Sequence, residues 1–307
     1  GDEEAQLQLR CSLYHLLRAH VDDPRVAIDA KGHAGDAYRG RYFWDTEIYL
    51  LPFFLYTQPE KARTLVDFRV GTLGGARETA ASYGYRGARY PWESDGAGRE
   101  GCANFQYADH EVHVTADVVY GLAHYARAAD GAYLDGPAGE VVVETARYWM
   151  ERIDRRKGDD HPSLLGVMGP DEYCPISHNN AYTNRMVSLN LALAAELGPR
   201  AGATPGECRA FAEAAAGLPI VRDPTGRLVM QCEDFEMLAE PRFEQLWRDR
   251  GQPFAAQVSQ ERIYRSKCLK QADVLLLMML FPDEFTDEEV RAAWDYYVPY
   301  TTHDSSP

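Results

Sequence analysis

Basic residues are scarce: 32 Lys and Arg stand against 47 Asp and Glu, a formal charge of −15 with an isoelectric point near 5.0. A field of that sign repels phosphate backbones, so nucleic acid is not an expected partner. Long apolar runs are missing too. The longest, Val274 to Phe281, has the size of a core helix and falls well short of the roughly 20 residues a bilayer span needs, so no membrane association is expected. The opening residues, GDEEAQLQLR, lack the basic-then-apolar order of a secretory signal. Cys11, Cys102, Cys174, Cys208, Cys232 and Cys268 are scattered, with no CxxC and no His-paired spacing. That is the pattern of reduced thiols, and a cytoplasmic location is the expectation. His110-Glu111-Val112-His113 is not HExxH and has no obvious third ligand, so no metal is expected. Gly71 to Gly75 is not followed by Gly-Lys-Ser/Thr, which excludes a phosphate-binding P-loop, and no GxSxG elbow occurs.

What is present is a core-forming chain. The 307 residues are 45% hydrophobic, and 19 Tyr and 5 Trp exclude disorder. Helical periodicity predicts helices over Leu7–His20, Val114–Ala129, Gly139–Ile153, Ala181–Leu197, Pro205–Ala216, Lys270–Phe281 and Thr286–Tyr297. Pro59 opens another, running toward Tyr83, and Pro52 must end or kink any helix over Phe43–Tyr56. Thr286 with Glu289 reads as a capping box, and Thr204-Pro205 as an N-cap followed by the first helical position. The best strand signal, Arg227–Gln231, is short. The expected class is all-α, with about ten helices in a single domain spanning residues 1–307. Helices joined by alternating short and long links suit a toroid of helical hairpins. The long links, residues 84–111 and 158–180, are rich in Trp, Tyr, Asn and His, a composition that favours function over disorder.

Four clusters could carry chemistry. Phe43-Trp44-Asp45-Thr46-Glu47 sets an aromatic beside carboxylates, which is how proteins hold sugars: the ring covers the apolar face of a pyranose and the carboxylate accepts from hydroxyls. On chemistry alone a buried helix start with a capping Asp is the better explanation, because a single Trp-Asp pair is a weak signal. Tyr90-Pro91-Trp92-Glu93-Ser94 lies in a Gly-rich loop, where Trp92 is either a ligand contact or a plug onto the core. Met168-Gly169-Pro170-Asp171-Glu172-Tyr173 places two acids after a turn, with Asn179, Asn180 and Asn184 close behind as neutral partners for hydroxyls. One of two neighbouring acids can be kept protonated, as a general acid requires; a solvated turn is the plain alternative. Lys270-Gln271 at a helix start can bind a hydroxyl or oxyanion. Thr301-Thr302-His303-Asp304-Ser305-Ser306 can form an anion nest or merely a frayed terminus.

Taken in order, GRYFWDTEIYLLPF, GARYPWES, GPDEY with NNAYTN, KQADVLLLM and THDSS resemble the catalytic domain of glycoside hydrolase family 65, over residues from about 7 to 306. That resemblance implies an (α/α)6 barrel, here apparently truncated, without the family's flanking β-domains. It implies inverting phosphorolysis of an α-linked glucobiose or glucoside to β-glucose 1-phosphate and a released sugar. It further implies that Glu172 is the general acid. Trp44, Asp45, Lys270 and Gln271 would line the transferred glucose, and Trp92 and Glu93 the acceptor side. His303, Ser305 and Ser306 would hold phosphate, and the loop Gln106–His113 would align with the region that varies between disaccharide specificities. No cofactor is implied; inorganic phosphate is the co-substrate, and a homodimer is possible.

An inverting hydrolase needs an acid and a base that activates water from the opposite face. A phosphorylase needs only the acid, because phosphate is already an anionic nucleophile. His303 and two serines are donors, the right chemistry for an anion. The expectation is therefore phosphorolysis, with an inverting hydrolase of the same fold, or an inactive sugar-binding fragment, as the alternatives.

Overall fold

The computed structural model describes residues 2–32, 37–158 and 161–304. Helix accounts for 56% of it and strand for 5%, which places the chain in the all-α class. The chain forms two compact units, each drawn from three stretches: Gly1–Ala103, Val114–Glu151 and Leu189–Ala212 in the first, Asn104–His113, Arg152–Ser188 and Glu213–Pro307 in the second.

In the first unit the helix Glu3–Ala19 starts on Asp2, whose Oδ1 accepts from the Ala5 N–H at 3.0 Å. Its apolar face is only partly covered: Leu7, Leu9 and Leu17 are exposed, Leu13 and Leu16 are half-buried, and Ala19 alone is buried. The cap and the acidic first turn add to the modest burial this helix has. Pro52 does not break a helix. It occupies the first turn of Leu51–Thr57, where its missing N–H costs nothing, behind a wide turn over Thr46–Leu50. The helix expected from Pro59 to Tyr83 is two helices, Pro59–Gly71 and Leu73–Ser82. Thr72 separates them, and its hydroxyl donates to the carbonyls of Phe68 at 3.0 Å and Arg69 at 3.1 Å, competing with helix continuation. Val114–Ala128 and Pro137–Arg152 follow as expected. Trp149 Nε1 donates to Asn190 Oδ1 at 3.0 Å and Asn190 Nδ2 donates to the Val142 carbonyl at 3.2 Å, so a buried indole and a buried amide satisfy each other.

Helices Ala181–Ala201 and Pro205–Gly217 contribute residues to both units. In the second unit, Thr286 and Glu289 form the expected capping box on Asp287–Tyr297. Arg227–Gln231 is not a strand; Val229 makes one isolated bridge with Arg222. Among the described residues the paired strands are Asp154–Arg155 and Pro162–Ser163. The expected helix Lys270–Phe281 begins three residues later, at Asp273. The Lys270 N–H donates to the side chain of Asp171 instead of pointing into solvent ahead of a first turn. A compact apolar cluster of Trp247, Phe254, Val258, Ile263 and Cys268 carries Tyr173 and Tyr264 on its edge, which anchors the chain immediately after Glu172.

Candidate active site

Two of the sequence motifs meet within the first unit. Tyr42 and Ser94 exchange both backbone hydrogen bonds, at 3.0 and 2.9 Å, and Phe43 packs edge-on against Trp92 with centroids 5.6 Å apart. The loop is shaped by Glu100, whose carboxylate accepts from the N–H groups of Trp92 at 2.7 Å, Glu93 at 3.1 Å and Cys102 at 2.9 Å. Burial pushes the Glu100 carboxyl up while those three donors pull it down. Trp44 and Trp92 are 4% and 8% exposed, so packing accounts for most of both indoles; Asp45 and Glu93 are half-buried. Beneath them Arg69 donates to both oxygens of Glu47 and to the Phe43 carbonyl, and the Tyr90 hydroxyl donates to the Arg69 carbonyl at 2.6 Å. Neither Arg69 nor Glu100 stood out in the sequence; an acid seven residues past Glu93 in a Gly-rich loop was the available signal.

The second unit holds the acid loop. Glu172 and Lys270 form an ion pair, Nζ to Oε1 at 2.5 Å, with side chains 23% and 21% exposed, at the edge of solvent where a ligand can reach them. The neighbouring pair is buried. Asp171 Oδ1 accepts from the Lys270 N–H at 2.8 Å and the Tyr173 N–H at 3.3 Å, and Oδ2 accepts from Gln231 Nε2 at 3.0 Å. Asp273 Oδ1 accepts from the Asp171 N–H at 2.7 Å, and its Oδ2 accepts from Asn180 Nδ2 at 2.7 Å. Gln271 Nε2 adds a bond to the Pro170 carbonyl at 2.6 Å. Gly169 is required by this crowding, since a Cβ there would lie 2.2 Å from Asp273 Oδ2. Burial raises both aspartates, Asp171 to about 7, and the Asp171 charge pushes Asp273 up further.

The amide nitrogens of the asparagines are engaged within the protein, and all three side chains are buried. Asn180 Oδ1 accepts from the N–H and hydroxyl of Thr183, Asn184 donates to the Pro219 carbonyl, and Asn179, at φ +52, donates to Glu233. They are buried framework groups, committed to the helix start at Ala181. His110, Glu111 and His113 are engaged within the protein: His110 Nδ1 bonds the Gly166 carbonyl, and His113 Nε2 bonds Glu111 Oε2 at 2.9 Å. Burial lifts the Glu111 carboxyl to about 7, against the pull of His113.

The C-terminal segment runs beside Lys270. Leu269 donates to the Tyr300 carbonyl and Thr302 donates back to the Leu269 carbonyl, both at 2.9 Å. His303 is exposed, with φ +55, and its Nε2 sits 3.1 Å from the Val298 carbonyl. Asp304 Oδ2 accepts from the Phe254 N–H at 2.5 Å, a scaffold role. Ser305 and Ser306 lie outside the described residues. The second unit thus brings together Glu172, Lys270 and Gln271, with the segment leading to His303 against them; Trp44, Asp45, Trp92 and Glu93 belong to the first unit. Sequence reasoning missed Asp273 and Gln231, the buried supports of the acid loop. Asp273 was hidden inside an expected helix and Gln231 at the end of an expected strand.

Comparison with known proteins places these features. Residues 10–307 match the family model for the glycosyl hydrolase family 65 central catalytic domain. A kojibiose phosphorylase of Caldanaerobacter subterraneus subsp. tengcongensis is 35% identical over all of this chain and 43% of its own length. An alpha,alpha-trehalose phosphorylase of Thermoanaerobacter brockii is 35% identical over all of this chain and 42% of its own length. A solved structure from the human microbiome, provisionally described as a kojibiose phosphorylase, superposes with a TM-score of 0.89 at 31% identity, covering 95% of this chain and 42% of that one. The chain therefore spans less than half the length of these relatives.

Proposed function

The chain belongs to glycosyl hydrolase family 65, and on that premise we propose that it carries the central catalytic part of an inverting α-glucoside phosphorylase. The observation that carries this reading is the Glu172–Lys270 pair, about a fifth exposed, fixed by Asp171 and Asp273, with the chain leading to His303 alongside. Glu172 gives its proton to the glycosidic oxygen as the bond to the anomeric carbon breaks. A phosphate oxygen forms the new bond from the opposite face, which yields β-glucose 1-phosphate and a sugar whose new hydroxyl holds the donated proton. Lys270 and Gln271 orient the transferred glucose, the role the family resemblance also gives to Trp44 and Asp45. Trp92 and Glu93 receive the leaving sugar, and His303, Ser305 and Ser306 receive phosphate. Kojibiose- and trehalose-cleaving relatives support a glucobiose as the substrate class. We also keep the reading of a single domain, because the chain passes five times from one compact unit to the other.

A hydrolase needs a second carboxylate as base. Glu111 is the candidate: Oε1 has no hydrogen-bond partner among the described residues, and the Glu172 charge acts on it. Its side chain, however, is sealed from solvent, whereas a base must touch the water it activates. Phosphorolysis is therefore the better reading. The deciding experiment incubates the intact protein with glucobioses, with and without phosphate. The expected result is phosphate-dependent β-glucose 1-phosphate, with about 10²–10⁴-fold loss in Glu172→Gln. Free glucose formed equally well without phosphate would overturn the proposal.

A further inference from the structure

The GPDEY and KQAD segments are joined by a reciprocal clasp. The side chain of Asp171 takes the backbone N–H of Lys270, and the side chain of Asp273 takes the backbone N–H of Asp171. Each carboxylate thus fixes the backbone at, or next to, a member of the Glu172–Lys270 pair. The bonds are 2.8 and 2.7 Å long. Gln231 ties the two acids together from behind: Nε2 donates to Asp171 Oδ2 at 3.0 Å, and Oε1 accepts from the Asp273 N–H at 3.3 Å. Asn180 holds the remaining oxygen of Asp273.

Asp171, Asp273 and Gln231 are all 0% exposed. Burying two neighbouring carboxyl groups is expensive, and among the described residues no Lys or Arg side chain bonds either of them. An apolar support would hold a loop at lower cost. What carboxylates add is direction, because each accepts from one chosen N–H and fixes a peptide plane.

We propose that Asp171 and Asp273 are positioning residues for the proton donor: their clasp sets the Glu172 carboxyl and the Lys270 ammonium at the spacing that protonation of the leaving oxygen requires. The catalytic part of this inference rests on the phosphorylase reading above. Neither aspartate touches substrate, and both act through Glu172.

Asp273→Asn tests this. Asparagine keeps the size and can still accept from the Asp171 N–H through Oδ1, but its amide sets a donor against Asn180 Nδ2 and loosens the clasp. Two substrates separate positioning from general damage. With a glucobiose, the leaving oxygen needs the Glu172 proton. With α-glucosyl fluoride, phosphate forms the C–O bond while fluoride departs with the C–F electron pair, and no proton donor is needed. The variant should lose about 10–100-fold in kcat on the glucobiose with KM little changed, while turnover of the fluoride stays within about 3-fold of the unsubstituted protein. Parallel losses on both substrates, or no loss on either, overturn the proposal. Should the variant not fold, Asp171→Asn, which opposes a donor to Gln231 Nε2, carries the same comparison.

Amide hydrogen exchange reads the clasp without the reaction. The Asp171 and Lys270 N–H groups should be protected in the unsubstituted protein, and Asp171 should lose protection in Asp273→Asn. Unchanged exchange would remove the clasp whatever the activity. A protein that turns over neither substrate while showing this exchange pattern would remove the phosphorylase reading and the catalytic role resting on it, and leave the clasp.

Discussion

Arg69 faces Glu47 with two hydrogen bonds, 2.7 Å from Nε and 2.9 Å from Nη2, where the side chains are 2% and 4% exposed. The same guanidinium reaches the Phe43 carbonyl at 3.1 Å, one residue before Trp44. Removing one member leaves a buried charge without its partner, which costs about 3–5 kcal/mol. Arg69→Met and Glu47→Leu should each lower the chemical denaturation midpoint steeply. The double variant, with both charges gone, should recover much of the loss. If the double variant loses the sum of the singles, the two residues do not act as a pair.

Gly169 has no room for a methyl group. A Cβ would fall 2.2 Å from Asp273 Oδ2 and 2.4 Å from Asn180 Nδ2, both buried and bonded to each other. Gly169→Ala must push one of them aside, an overpacking cost of about 1–3 kcal/mol together with a weakened bond. Thermal unfolding should show the loss, whereas Gly166→Ala, at φ +61 with nothing within 4 Å of the added carbon, should show only backbone strain. Equal losses at both positions would mean the crowding at Asp273 is unimportant.

The helical class and most of the helices were legible because amphipathic spacing and caps are local: Thr286 with Glu289 announces its own helix start. The resemblance to a known family was legible in five short motifs. What the sequence hid depends on partners far along the chain. The helix after Lys270 begins at Asp273 because Asp171, about a hundred residues earlier, takes the Lys270 N–H. Asn179, Asn180 and Asn184 read as sugar-binding amides because their type suits hydroxyls, yet their partners are Glu233, Thr183, Asp273 and Pro219. Residue type suggests a chemistry, and only tertiary structure says whether the group is already spent.

Glu100 gathers three N–H groups, those of Trp92, Glu93 and Cys102, onto one carboxylate. Glu100→Gln replaces one acceptor oxygen with an amine that faces a donor, so the loop should shift by a bond. With Trp92 and Glu93 on the acceptor side, as proposed, KM for the glucobiose should rise severalfold while kcat falls less. Tryptophan emission should change as Trp92 leaves its present 8% exposure. A pure kcat effect would place this loop away from the acceptor.

The pH dependence of stability should carry the mark of Glu111. Buried against His113, with Glu172 and Lys270 as the further charges acting on it, its carboxyl is raised from 4.5 to about 7. The folded protein therefore holds this proton where the unfolded chain has released it. The stability it contributes is full below pH 4.5 and is lost as pH rises through about 7. At about 1.4 kcal/mol per pH unit, that window corresponds to about 3 kcal/mol. Asp171, also raised to about 7, slopes in the same direction, so the readout is a difference between proteins. Glu111→Gln keeps a bond to His113 and cannot titrate. Denaturation between pH 5 and pH 8 should show the unsubstituted protein losing about 2.5 kcal/mol more than this variant. Parallel pH curves would mean that Glu111 does not take up a proton on folding in this range.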